Sequence, residues 1–589
     1  MSARVVIAGT SSGAGKTTVA SGLIGALRAR GLEVQGFKVG PDYIDPSYHA
    51  LASGRPGRNL DAFLSGPELI APLFRHGATG ADIAVIEGVM GLFDGASGRG
   101  ELASTAHVAK LLRAPVLLVV DGSAMARSAA AVVHGFATFD PELDVAGVVF
   151  NRVGSDIHAE LLREAVEPLG IPVLGLLRRD ARVWAPERHL GLVPVAEREP
   201  RTREALDLLA ASVAQQLDLD AILTLARSAP AVEAPAWDPA ADLEPRPAPP
   251  LAGATAPESQ GAAQSPRASD TGSSPVRIAS AARPPRAVDT GSTVRIASAT
   301  RPLRAVDTGS TPVRIAIAQG PAFSFHYREN LELLEAAGAE LAPFDPLQDE
   351  VLPLGCYALV LAGGFPEVFG AELAANASLR AAVAAHAAGG RPILAECGGL
   401  LYLGERLDGH EMCGVLPVRG AMGRRLTLGY REATAATATP WLAAGTVVRG
   451  HEFHYSQVEL VGDAAPADGP ASAAAPASAA APASAAEHAS AAMPASAAAR
   501  ASAATPASAA APASAAAPAS AAAPAPAAVP TSVAAPAWTL RARGTERPEG
   551  IVRGAVQASY LHLHWAAFPQ LARDFVAAAR SARRAEAAA

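Results

Sequence analysis

Six short apolar runs alternate with stretches of helical periodicity over residues 1–228, and this alternation constrains the fold more than any other feature of the chain. The runs are RVVIAGT, EVQGFKVG, DIAVIEGV, PVLLVVDGS, DVAGVVFNRV and IPVLGLLR. They are rich in β-branched residues and short on polar ones, as strands covered on both faces of a parallel sheet must be. Between them, segments such as TTVASGLIGALRARG read as helices, this one closing at Gly31. The implied fold is α/β, a doubly wound parallel sheet, with ligands expected beyond the C-terminal ends of its strands. Residues 313–589 repeat the style. VRIAIAQ, YALVLAGG, RPILAE, HEFHYSQVEL and GAVQASYLHLHW read as strands, and ENLELLEAAG, AELAANASLRAAVAAHAAGG and GGLLYLGERL as helices.

Two tracts break the alternation. Residues 229–312 are rich in Pro, Ala, Ser and Thr and carry a repeated unit whose leading aspartates are Asp270, Asp289 and Asp307. Units of roughly 18–19 residues are shorter than most solenoid repeats and bury little, so the tract reads as a duplicated linker. Residues 463–536 are runs of PASAAA with almost no large apolar side chains. Such a composition cannot offset its ordering entropy, and disorder is expected. About 430 residues remain, enough for two domains, expected at 1–228 and 313–589 with the second interrupted after Asp463.

Lys plus Arg number 49 against 56 Asp plus Glu, a net charge of −7, which argues against a general nucleic-acid or anionic-membrane binder. The mean hydropathy of +0.20 owes much to the alanine tracts, and no run of about 18 uncharged apolar residues suggests a membrane span. The first apolar run leads straight into a Gly-rich loop, unlike a signal peptide. Cys356, Cys397 and Cys413 cannot frame a disulfide scaffold, so a reducing cytoplasm is expected.

The loop Gly9-Thr10-Ser11-Ser12-Gly13-Ala14-Gly15-Lys16-Thr17-Thr18 lies between a strand and a helix and resembles a P-loop. Glycines let backbone N–H groups face phosphates, Lys16 reaches the β/γ oxygens, and Thr17 can hold Mg²⁺. Thr10 stands where the strict pattern has glycine. Five positions before Lys16 is Ser11, whereas partition-type ATPases carry a second lysine there, which favours a dethiobiotin synthetase-like domain. KVGPDYIDPSYH and EGVMGLFDG follow the second and third apolar runs and bring Asp42, Asp45, Glu87 and Asp94 to the same edge. Four hard-oxygen side chains there suit Mg²⁺; the blander reading makes them helix caps, and spacing does not decide which touch metal.

At the other end, RPILAECGGLLY runs a strand into Cys397 and opens a helix with Gly398-Gly399. This is an elbow that exposes a nucleophile, with the helix N-terminus expected to favour thiolate. Cys356 and Cys413 lack such a setting and read as structural. One strand earlier, the glycines of Leu361-Ala362-Gly363-Gly364-Phe365-Pro366 can share an oxyanion hole with the N–H of Gly398. Late in the chain, Tyr560-Leu561-His562-Leu563-His564-Trp565 places two histidines on one face of a strand, either of which can act as general base for Cys397.

The cysteine elbow, the GGFP loop and the late histidine resemble a class I, triad-type glutamine amidotransferase domain of flavodoxin-like fold. The ordered set GTSSGAGKTT, KVGPDYIDPSYH, EGVMGLFDG, ENLELL, LAGGFPE, AECGGLLYL, GHEFHYS and ASYLHLHW resembles the cobyrinic acid or hydrogenobyrinic acid a,c-diamide synthase family, over both blocks but not the two tracts. The resemblance implies a ligase of cobalamin biosynthesis that uses ATP, L-glutamine and cobyrinate or hydrogenobyrinate. Cys397 would attack glutamine, with His562 at the YxH position raising its nucleophilicity. Gly13, Gly15, Lys16, Thr17 and Thr18 would bind the nucleotide, and Asp45 and Glu87 would join Thr17 at Mg²⁺. Asp42, Tyr43 and Asp94 would lie near the phosphates and the reacting carboxylate. The a and c acetates would be amidated through acyl phosphates, with ammonia passing inside the protein; a homodimer is compatible with this scheme.

Two departures stand out. Many triad glutaminases carry His-x-Glu, but His564 stands two after His562, so a Cys–His pair is expected. The run Gln319-Gly-Pro-Ala-Phe-Ser-Phe-His-Tyr is more broken by Gly and Pro than is usual in the family. The rival readings are a cobyric acid synthase-like amidotransferase acting on other corrin side chains and a regulatory ATPase with an inactive glutaminase-like domain. PDYIDP and GHEFHYS disfavour the first, and retention of Cys397 and the late histidine disfavours the second.

Overall fold

A computed structural model describes residues 3–179, 187–188, 191–192, 199–244, 311–461, 534–542 and 545–588. The N-terminal block runs β1 (Ala3–Gly9), α1 (Lys16–Ala29), β2 (Val34–Val39), α2 (Ile44–Ser53), β3 (Arg58–Leu60), α3 (Pro67–Gly77), β4 (Ile83–Glu87), α4 (Thr105–Leu112) and β5 (Val116–Asp121). It continues through α5 (Ser128–Thr138), β6 (Val145–Val153), α6 (Asp156–Val166), β7 (Val173–Arg178), the small pair β8 (Glu187–Arg188) and β9 (Gly191–Leu192), α7 (Glu199–Gln216), α8 (Leu219–Ser228) and α9 (Pro239–Asp242). Strands line up as β3-β2-β4-β1-β5-β6-β7, every pair parallel. Helices cover both faces, so Val5, Val6, Ile7, Val85, Leu118 and Val149 are wholly buried, which explains why the runs show no polar alternation.

The linker boundary expected at 229 needs correction. Residues 229–244 pack on the protein, because Trp237 gives this Pro/Ala stretch an apolar anchor. Trp237 N–H donates to Pro72 O at 3.0 Å and its Nε1–H to Asp242 at 2.6 Å, while Arg4 Nη2 donates to Pro230 O at 2.6 Å. Residues 245–310 of the expected linker and 463–533 of the PASAAA tract lie outside the described residues, whereas residues 534–536, expected in that tract, are ordered by pairing of Ala535 with Val552.

The C-terminal block runs β10 (Val313–Ala318), α10 (Arg328–Ala336), β11 (Ala339–Phe344), β12 (Cys356–Leu361), α11 (Gly370–Ala375), α12 (Ala377–Ala388), β13 (Ile393–Glu396) and α13 (Gly398–Leu403). Next come β14 (Arg406–Leu407), β15 (His410–Glu411), β16 (Val418–Ala435), β17 (Val447–Leu460), β18 (Trp538–Ala542), β19 (Thr545–Glu549), β20 (Ile551–Arg553), β21 (Val556–Ser559), β22 (His562–Leu563) and α14 (Pro569–Ala588). One sheet has the order β11-β10-β12-β13-β21-β20, parallel except for β20. A second, largely antiparallel sheet has the order β15-β14-β16-β17-β22, with β18 on β16 and β19 on β18.

This second sheet alters one sequence expectation. GAVQASYLHLHW is not a single strand: the chain leaves the parallel sheet after Ser559 and joins the antiparallel one at His562. The buried Glu549 carboxylate holds the bend by accepting the Ser559 hydroxyl at 2.5 Å and Tyr560 N–H at 2.7 Å. His562 thereby comes to lie opposite His451.

Candidate functional site

The phosphate-type loop follows β1 directly. Gly13 and Gly15 adopt φ of 76° and 101°, which side-chain-bearing residues rarely adopt, and α1 starts at Lys16. Lys16 Nζ donates to Ser11 O at 3.0 Å and to Met90 O at 2.5 Å. Burial, helped by the nearby Lys38 charge, lowers its pKa to about 8. Thr17 and Thr18 lie in the first turn of α1. Thr17 Oγ1 donates to Glu87 at 2.5 Å and stands 3.4 Å from Asp45 Oδ2.

Sequence reading left the centre of this cluster unassigned. Lys38, at the end of β2, is buried 2.5 Å from Asp45 and 2.8 Å from Glu87, whose other oxygen meets His49 Nε2 at 2.7 Å. Burial alone would favour neutral Lys38, but Asp45 and Glu87 outweigh it and raise its pKa. Burial would likewise raise the Glu87 pKa, but Lys38 and His49 hold it well below the carboxylate range. Asp45 goes the other way: burial, with Asp42 and Glu87 beside it, pushes its pKa well up. The cluster thus has more acid than its cations offset, and its oxygen donors suit a hard divalent ion. Among the described residues, no three His, Cys, Asp or Glu side chains form a candidate metal cluster. An ion here would need Thr17 and ligand oxygens as well, as is usual for Mg²⁺ with a nucleotide.

The remaining residues expected at this end are anchored by local contacts. Asp42 Oδ1 accepts the N–H groups of Ile44 at 2.7 Å and Asp45 at 3.0 Å, capping α2. Asp94 accepts Gly91 N–H at 2.8 Å, fixing the loop after β4. Tyr43, expected near the phosphates and the reacting carboxylate, stacks on Phe325 of the C-terminal block, with centroids 4.8 Å apart. Its ring centroid is 5.2 Å from that of His562 and 5.7 Å from that of His451. Packing among these rings buries Tyr43.

At the thiol end, Cys397 directly follows β13 and adopts the strained conformation φ 46°, ψ −98° expected of an elbow. Its N–H donates to Ser559 O at 2.7 Å, and its thiol faces Phe453 O at 3.8 Å. Burial works against the expected thiolate. Burial, then Glu367, push the Cys397 pKa up; Gly398 N–H opposes this, while Glu396 and Glu549 add to it. The six-residue α13 contributes too small a dipole to reverse that balance. A Cβ on Gly398 would stand 3.1 Å from Gly364 N, so the two amides expected to form an oxyanion hole are neighbours.

His562 is fully buried and lies against Gly363, where an added Cβ would be 2.5 Å from its Cε1. Its ring stacks on His451 at 4.9 Å, and its Nδ1 is 3.5 Å from Glu396 Oε2. His564 faces elsewhere, packing on Tyr327 at 4.8 Å with its Nε2 3.6 Å from Glu329. Glu329 belongs to the seam between blocks, where Arg58 from β3 meets Glu329 and Glu332 of α10, each at 2.6 Å. Tyr430 O–H donates to Asp61 across the same seam at 2.8 Å. His451 and His454 were visible in GHEFHYS but carried no assignment; only pairing of β17 with β22 brings His451 to His562.

A phosphate-type loop on a doubly wound sheet, joined to a cysteine elbow on a second α/β sheet, defines a nucleotide-binding glutamine amidotransferase. Residues 5–193 match the CobQ/CobB/MinD/ParA nucleotide binding domain, and residues 314–469 the CobB/CobQ-like glutamine amidotransferase domain. Hydrogenobyrinate a,c-diamide synthase of Streptomyces coelicolor is 48% identical over 578 residues, 98% of each chain. The Thermobifida fusca protein of that name is 42% identical over 586 residues, covering 98% of this chain and 97% of the relative. Cobyrinate a,c-diamide synthase of Syntrophotalea carbinolica is 39% identical over 582 residues, covering 97% and 98%. The chain belongs to the a,c-diamide synthase family.

Proposed function

We propose that this protein amidates the a and c acetate carboxylates of hydrogenobyrinate, using ATP and glutamine, in cobalamin biosynthesis. The observation that carries the reading is Tyr43, whose ring reaches the His562 cluster from the same PDYIDP segment that sends Asp45 to Thr17 and Lys38. One segment thereby contributes a side chain to each of the two proposed centres. The metal-free ring is favoured because the relatives at 48% and 42% identity carry that substrate in their names.

His562 takes the Cys397 proton as Sγ attacks the glutamine carboxamide, and returns it to the departing nitrogen. The amides of Gly364 and Gly398 stabilise the developing oxyanion. Ammonia and an enzyme-bound glutamyl thioester result, and water releases glutamate from the thioester. In the N-terminal block the Gly13–Gly15 loop, Lys16, Thr17 and Thr18 hold the nucleotide, with Asp42 and Asp94 shaping the adjoining loops. Thr17, Asp45 and Glu87 would hold Mg²⁺, which when bound supplies charge neutralisation for phosphoryl transfer. Lys38 keeps Glu87 ionised and in place. The substrate carboxylate takes the γ-phosphoryl group, and ammonia then displaces phosphate to leave an amide.

Among the described residues no helix is long and apolar enough to cross a membrane. Free Cys356, Cys397 and Cys413 suit a reducing cytoplasm. The test is mass spectrometry with ATP, Mg²⁺ and nitrogen-labelled glutamine, offering metal-free and cobalt-bearing rings separately. Two labelled amides on the metal-free ring support the reading. Two on the cobalt ring alone would move the substrate to cobyrinate, and none on either would reject the function.

A further inference from the structure

Glu396 immediately precedes Cys397 and pairs in register with Ser559 across β13 and β21. Three residues beyond Ser559 the bend delivers His562, whose Nδ1 lies 3.5 Å from Glu396 Oε2. The other oxygen, Oε1, is 3.4 Å from Leu563 N–H, so both ends of the carboxylate face the segment carrying the histidine. Its side chain is 13% exposed, and among the described residues no lysine or arginine pairs with it. The carboxylate borders a small cavity with Phe325, Tyr327, Asn330, Leu394 and Trp565. The alternative acid is unsuited to the task, because Glu329 faces His564 and is bound to Arg58.

We propose that Glu396 is the positioning carboxylate of the glutaminase centre, orienting His562 through Nδ1 and stabilising the imidazolium formed when Cys397 gives up its proton. The inference rests on the assignment of Cys397 and His562 above. It replaces the missing His-x-Glu carboxylate by one that comes from the residue before the nucleophile. A carboxylate at one imidazole nitrogen fixes the tautomer that leaves the other nitrogen free to accept a proton. His451, stacked on His562, cannot take this role because burial and the neighbouring His562 hold it neutral. Tyr43 meets the same imidazole through its ring. Around the thiol, Glu367, Glu396 and Glu549 are the acids and Tyr560 the nearby phenol, so the pH response belongs to this whole group.

The experiment compares Glu396→Gln, Glu396→Asp and His562→Asn in the full chain, reading glutamine hydrolysis, ammonia-driven amidation and the pH dependence of Cys397 alkylation by iodoacetamide. Glutamine is nearly isosteric and can still accept Leu563 N–H. Glu396→Gln should lower kcat for glutamine by roughly 10- to 10⁴-fold with KM little changed, the range seen when a histidine-orienting carboxylate is lost. Ammonia-driven amidation should persist. Glu396 acts on the thiol in two opposite ways, raising its pKa directly by charge and favouring thiolate through a stabilised imidazolium, so the alkylation profile should move little while kcat falls. Glu396→Asp should recover part of the loss. Wild-type kcat in Glu396→Gln beside an inactive His562→Asn overturns this proposal alone. Full glutaminase activity in His562→Asn overturns the His562 assignment and the proposal with it. Loss of ammonia-driven amidation in Glu396→Gln would mark Glu396 as structural and also overturn the proposal.

Discussion

Replacing Arg58 by alanine should loosen the seam between the two blocks, with a cost that depends on pH. Arg58 bonds two carboxylates at 2.6 Å, and the Glu329 and Glu332 side chains are only 1% and 6% exposed. Burial would raise the Glu329 pKa, but Arg58, and after it His564, hold it at about 2. Against roughly 4.3 in an unfolded chain, that depression amounts to ~3 kcal/mol at neutral pH. Removing one partner of a buried ion pair typically costs ~3–5 kcal/mol, so two independent arguments agree. The sign follows from the depressed acid: the stabilisation is complete above about pH 4.5 and fades as pH falls toward 2. Calorimetric unfolding of Arg58→Ala and wild type should therefore differ by on the order of 10 °C at pH 7. The gap should narrow at pH 4, where the stranded carboxylates can protonate. A difference below about 2 °C at pH 7, or one that does not change with pH, would refute the reasoning.

Other predictions concern coupling, nucleotide use and stability. Tyr43→Ala should spare ammonia-driven amidation but reduce the amide formed per glutamine hydrolysed; an unchanged ratio would deny Tyr43 a role between the centres. Lys16→Ala should end amidation with either nitrogen source, and undiminished ATP turnover would contradict the phosphate-loop assignment. Burial raises the Glu549 pKa to about 7, so the native state holds its proton more tightly than the unfolded chain and loses stability as pH rises through 7. Glu549→Gln should therefore melt above wild type at pH 8, with an advantage that shrinks at pH 5.

Much of the parallel architecture could be read in advance because buried parallel strands write themselves as unbroken apolar runs. All six runs of the first block became strands, whereas β3, the three residues Arg-Asn-Leu, left no periodicity to detect. The second sheet of the C-terminal block was harder. β16 carries Arg419, Arg424, Arg425 and Arg431 and alternates poorly, because parts of both faces meet solvent. The elbow at Cys397 was legible from its glycines, since their role is local. The bend after Ser559 was not, since it depends on Glu549 from another strand. The same reason hid Lys38 as the counter-ion of Glu87, and Glu396 as the neighbour of His562. An acid before a cysteine has no meaning in sequence until β13 and β21 place it beside an imidazole. Tyr43 could be linked from its motif to the phosphates and the reacting carboxylate, but its stacking on Phe325 depends on tertiary packing that no local pattern reveals.

The most direct measurement is amidation by Cys397→Ala, run once with glutamine and once with an ammonium salt, with ATP and Mg²⁺ present throughout. If the thiol serves only to release nitrogen, the variant should form no amide from glutamine and should form both amides from ammonium at close to the wild-type ammonia rate. Amide formation from glutamine by the variant, or loss of the ammonium-driven reaction in a properly folded variant, would contradict the division of labour between the two blocks.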